Sequence, residues 1–117
     1  MSLINQLPFD EIPGSIYRSP MPFGPYDENH QIYTQILDLE INAVVMLISD
    51  DEALEKTGIN LKQLYDQDGL QVIYFPIRDF DVPEREQLSI IINQIIRLAY
   101  QGKNVLVHCS AGCGRTG

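Results

Sequence analysis

Two short apolar runs constrain this chain more than anything else in it. "NAVVMLIS" (Asn42–Ser49) and "NVLVH" (Asn104–His108) are rich in β-branched residues and show no polar alternation. A strand with one wet face alternates apolar and polar side chains. Unbroken runs of this length therefore read as strands buried on both faces, the pattern of a parallel sheet. Two more runs join them: "GSIYRS" (Gly14–Ser19), behind a Pro-Gly turn, and "LQVIYFPI" (Leu70–Ile77).

Helical patterns fill the intervals. "YDENHQIYTQILDLE" (Tyr26–Glu40) places Ile32, Ile36 and Leu39 at helical spacing, and its acidic start suits a helix N-terminus. Asp50 and Asp51 offer caps for a short helix, and "INLKQLYDQDG" (Ile59–Gly69) reads as another, stopped by Gly69. The longest is "PEREQLSIIINQIIRLAYQG" (Pro83–Gly102), with Leu88, Ile91, Ile92, Ile95, Leu98 and Ala99 on one side. Pro83 starts it and Gly102 ends it. Strands alternating with helices predict an α/β fold: a mostly parallel central sheet with helices on both faces.

Charge and composition exclude several roles. The formal net charge is −8, which argues against nucleic acid or an anionic membrane as a main partner, since both select clustered Lys and Arg. No apolar run reaches the ~20 residues of a membrane span, and "MSLINQLPFDEIPG" lacks the basic-then-apolar pattern of a secretory signal. The two cysteines, Cys109 and Cys113, are too close in sequence to staple a fold, so they read as thiols of a cytoplasmic protein.

Cys109 lies in the stretch that closes the chain, "VHCSAGCGRTG" (Val107–Gly117), which follows the C-terminal end of a predicted buried strand. Open α/β sheets place their ligand sites at that position. Small residues and glycines let the backbone curl so that successive N–H groups point inward, and such a nest binds anions. Arg115 offers a planar fork for two phosphate oxygens. The same donors favour a thiolate at Cys109, and the thiolate is the nucleophile. Cys109 would then carry a phosphocysteine intermediate. An ester oxygen leaves poorly unless protonated, so a general acid is required from another loop. "PIRDFDVP" supplies two candidates, Asp79 and Asp81, at the end of a neighbouring predicted strand.

The bland alternatives are explicit. Cys109 could be an inert small hydrophobe. A metal site of His108, Cys109 and Cys113 lacks a fourth ligand and typical zinc spacing, so no metal or cofactor is expected. Arg78 reads as surface charge, His30 as solvated, and Arg18 as half of a structural ion pair. Cys113 fills a loop position as a small apolar residue, against a rival reading as a resolving thiol for oxidised Cys109.

"HCSAGCGRTG" resembles the loop of the cysteine-dependent protein tyrosine phosphatase superfamily: His-Cys, five residues, then Arg followed by Ser or Thr. "PIRDFDVPE" resembles the general-acid loop of its small dual-specificity-type members, and "SIYRSPMP" their opening strand and loop. The resemblance runs from about Gly14 to Gly117. It implies that Cys109 is the nucleophile, that Arg115 clamps phosphate, and that Asp79 rather than Asp81 is the acid. It also implies that Ser110, Ala111, Gly112, Cys113 and Gly114 donate backbone N–H groups, and that the Thr116 hydroxyl bonds the Cys109 thiolate. His108 would orient the loop without acting as a base.

The expected substrate is a phosphorylated protein or peptide. Lipid phosphatases of the superfamily tend to carry lysines inside this loop, whereas positions 110–114 here are uncharged. Phosphotyrosine is therefore favoured over phosphoinositides, with phosphoserine and phosphothreonine left open. A non-catalytic phosphate-binding module and an inactive fragment are the other readings. Relatives continue past the loop into further helices, and the sequence ends two residues after Arg115. The expectation is a single phosphatase domain over residues 1–117 lacking its C-terminal helices, with 1–13 as an N-terminal extension.

Overall fold

The computed structural model describes residues 4–7, 12–77 and 85–108. In chain order the elements are β1 (Asn5–Gln6), β2 (Ser15–Ser19), a 3-10 turn (Glu28–His30), α1 (Ile32–Asp38), β3 (Ala43–Met46), α2 (Asp50–Thr57), α3 (Leu61–Gln67), β4 (Gln71–Tyr74), α4 (Arg85–Tyr100) and β5 (Asn104–His108). The strands form one sheet in the order β1-β2-β5-β3-β4. All neighbours are parallel except β1, which runs antiparallel to β2 through Asn5–Arg18 and Gln6–Tyr17. Asn5 and Gln6 fall within the stretch expected to be an extension, and their pairing joins it to the sheet edge.

The continuous apolar runs become the two inner strands. All four residues of β3 are buried, as are Val105 to His108 of β5. Partners in a parallel register point to the same face. Tyr17, Leu106 and Val44 therefore share one face, and Val105, Ala43, Val107 and Val45 the other. Helices α1, α2 and α3 cover the first face with Ile32, Ile36, Ala53, Leu61 and Tyr65. Helix α4 covers the second with Ile91, Ile95 and Leu98.

Four local expectations are revised. Helix α1 begins at Ile32 rather than Tyr26, because Asn29 and His30 adopt positive φ of 61° and 51° and break the helical path. Asp27 takes over as the anchor: its carboxylate accepts from the N–H groups of Phe23, Gln31 and Ile32 at 2.8, 3.0 and 3.2 Å. Helix α2 is capped by Ser49, whose Oγ accepts from the Glu52 N–H at 3.2 Å, while Asp50 and Asp51 lie in its first turn. Strand β4 is an edge strand, so Gln71 and Tyr74 are exposed where full burial was expected. Ile92 stands out from the buried stripe of α4 at 45% exposure.

Candidate active site

In a parallel sheet the C-terminal strand ends share one edge, and β2, β5, β3 and β4 all finish there. β5 ends at His108, between Ser19 of β2 and Met46 of β3. The His108 carbonyl accepts from the Leu47 N–H at 2.9 Å, and the Leu47 carbonyl accepts from the Ile77 N–H at 3.0 Å. Leu47 therefore bridges the last described residue before the cysteine loop and the last before the aspartate loop. With β3 between them, the two attachment points sit about 10 Å apart, two interstrand spacings. The edge thus brings together His108 and Ile77, the residues from which the stretches expected to carry nucleophile and acid depart.

Cys109, Ser110, Ala111, Gly112, Cys113, Gly114, Arg115 and Thr116 lie outside the described residues, as do Arg78, Asp79 and Asp81. His108 is described, and it is fully buried. Its Nε2 lies 2.8 Å from the Tyr65 hydroxyl, and the two rings meet edge to face at 5.9 Å. Tyr65 comes from the buried face of α3, and burial pushes its phenol far above the usual tyrosine range.

Tyr65 escaped the sequence reading. Its signal was the Leu61–Tyr65 pair at helical i, i+4 spacing, since a tyrosine on a buried face needs a partner for its hydroxyl. The stretch Ser19–Pro25 was also expected only as a loop. It leaves the sheet at Ser19, beside His108, and its Phe23 packs between His30 at 5.9 Å and Tyr33 at 5.8 Å. His30 is exposed, as expected. Arg18 is exposed, and its expected ion pair is not found among the described residues.

A family model described as "Polymorphic toxin system, DSP-PTPase phosphatase" matches residues 24–117. Among solved structures, kinase associated phosphatase (KAP), carrying a serine substitution of its catalytic-site cysteine, is similar with a TM-score of 0.81 at 21% identity, over 97% of this chain and 67% of its own. A variant of Tk-PTP is 30% identical with a TM-score of 0.70, over 96% of this chain and 65% of its own. TpbA of P. aeruginosa, solved in complex with pTyr, is 25% identical with a TM-score of 0.55, over 95% of this chain and 62% of its own. The chain thus spans about two thirds or less of the length of these structures. No curated protein matches.

Proposed function

The chain belongs to the DSP-PTPase phosphatase family of polymorphic toxin systems, and from that premise we propose that it hydrolyses phosphotyrosine in proteins or peptides through a phosphocysteine intermediate. The observation that carries this is a family match extending through the whole of "HCSAGCGRTG", on a fold that ends β5 at the histidine of that motif.

Hydrolysis proceeds in two steps. The Cys109 thiolate attacks phosphorus, the S–P bond forms, and the bond from phosphorus to the ester oxygen breaks. The Asp79 carboxyl gives its proton to that oxygen, which departs as the phenol. Backbone N–H groups of Ser110 to Gly114 and the guanidinium of Arg115 hold the phosphoryl oxygens and stabilise the charge spread over them in flight. Asp79, now ionised, takes a proton from water as water attacks phosphorus. Phosphate leaves and Cys109 returns as thiolate, accepting a hydrogen bond from Thr116.

Phosphotyrosine is the favoured substrate for two reasons. An aryl oxygen, with a parent pKa of ~10, leaves more readily than an alkoxide. The loop also offers no cation beyond Arg115 for a second phosphate. TpbA, solved with pTyr bound, supports the same reading. Dual specificity toward phosphoserine and phosphothreonine belongs to this proposal as its wider form. The thiol chemistry also fits the cytoplasm, where cysteines stay reduced.

The test is turnover of an aryl phosphate by the chain and by Cys109→Ser. Turnover in the first, and background rate with retained phosphate binding in the second, is the expected result. Binding without turnover in both would make the protein a phosphate-binding module. Faster release of phosphate from soluble inositol phosphates than from a phosphotyrosine peptide would move the substrate to the lipid-headgroup class.

A further inference from the structure

We propose that Tyr65 is a positioning residue for the phosphatase loop: its hydroxyl donates to Nε2 of His108, holds that imidazole neutral with its proton on Nδ1, and so fixes the residue from which Cys109 departs. The inference rests on the phosphatase reading given above.

Tyr65 and His108 are both fully buried, on α3 and β5, forty-three residues apart in sequence. A buried hydroxyl must donate to something. The acceptor seen for Tyr65 among the described residues is Nε2 of His108, at 2.8 Å. An imidazole with its proton on Nε2 could only donate to the tyrosine oxygen, which would leave the Tyr65 O–H without that acceptor. The opposite tautomer leaves Nε2 bare and gives the Tyr65 O–H its acceptor.

Packing keeps the pair in place. Tyr33 of α1 stacks on Tyr65 from its other side, with ring centroids 6.4 Å apart and planes inclined by 24°. Leu61 shares the buried face of α3 with Tyr65. His108 is held a second time at its carbonyl by the Leu47 N–H. Backbone and side chain of the residue before Cys109 are thus both anchored. Burial also strongly favours the neutral phenol, so Tyr65 stays a donor.

The titratable groups packed in this layer among the described residues are Tyr17 on β2, Tyr33 on α1, Tyr65 on α3 and Asp27 ahead of α1. Both carboxylate oxygens of Asp27 are taken up by backbone N–H groups. A neutral His108 brings no positive charge to the neighbouring thiolate. The loop's N–H groups and Arg115 then carry that task alone, and His108 contributes geometry.

Long-range proton–nitrogen NMR of the imidazoles tests this directly, because the chain has only two histidines and His30 is exposed. In the wild-type protein at neutral pH one imidazole should show the single Nδ1-protonated pattern, and His30 an averaged one. In Tyr65→Phe, which keeps the ring and loses the hydroxyl, the locked pattern should vanish. Its kcat/KM for an aryl phosphate should fall about three- to tenfold, the scale of one lost hydrogen bond. An Nε2-protonated or averaged His108 in the wild type overturns the proposal, whether or not Tyr65→Phe folds. So does a Tyr65→Phe protein that keeps the locked pattern or turns over at the wild-type rate. A locked wild-type tautomer without any turnover supports the Tyr65–His108 pair and counts against the phosphatase reading alone.

Discussion

The proposed mechanism has two candidate aspartates for one proton transfer, Asp79 and Asp81, with only Phe80 between them. Asp79 follows Ile77 and Arg78 directly, and Ile77 is anchored to Leu47 at the sheet edge. Asp81 is two residues further from that anchor. The short tether favours Asp79, in agreement with the resemblance of "PIRDFDVPE" to dual-specificity acid loops. Asp79→Asn should lower kcat by about 10²- to 10⁴-fold, with the largest loss on phosphate esters of poor leaving groups. Asp81→Asn should stay close to wild type, and steady-state rates across a leaving-group series check the ranking. At this scale the motif made Cys109, Arg115 and His108 candidates, because it spaces them along one local stretch, and of the three His108 is among the described residues. Tyr65 was not legible as His108's partner, because their contact depends on how α3 docks over β5, and no local spacing encodes that.

Helices and strands were legible where periodicity was strong and were misplaced where a single side chain overrides it. The runs of β3 and β5 became inner strands because nothing polar interrupts them. Helix α1 started later than its apolar spacing suggested, because Asp27 gathers three backbone N–H groups into a non-helical turn. The junction of α4, β2 and β5 shows how closely the elements meet. The Gly14 N–H donates to the Ala99 carbonyl at 2.8 Å. A Cβ at Gly14 would lie 2.0 Å from the Lys103 backbone oxygen and 2.8 Å from that of Ala99. Backbone atoms cannot swing aside, so Gly14→Ala should cost about 3 kcal/mol or more. Gly69 poses a different problem. Its φ is 78° and nothing lies within 4 Å of an added Cβ, so Gly69→Ala should cost only about 1–2 kcal/mol, from the left-handed backbone. Thermal or urea denaturation should therefore rank Gly14→Ala well below Gly69→Ala, and equal midpoints would mean that Gly14 is not seated against Ala99 and Lys103 as described.

Over the whole molecule, one sheet edge holds His108 and Ile77, from which the two stretches of the proposed chemistry depart. Parallel strands deliver β5 and β4 to the same edge, β3 spaces them, and two layers of helices bury the inner strands from both sides. That layout could be read in advance, because alternating apolar runs and helical stripes leave few other arrangements. The edge position of β4 could not, since strand order depends on long-range pairing. The net charge of −8 also acts at this scale. An acidic molecule repels a phosphate dianion at long range, so the attraction must come from the loop's own N–H groups and Arg115. The central claim is covalent transfer of phosphorus to Cys109, and the most direct measurement is acid quenching during turnover of an aryl phosphate, followed by peptide mass mapping. The account predicts a phosphoryl adduct on the peptide holding Cys109, accumulating in Asp79→Asn if the second step slows more than the first, and absent from Cys109→Ser. Turnover with no adduct on Cys109 under any quench, or turnover surviving in Cys109→Ser, would contradict it.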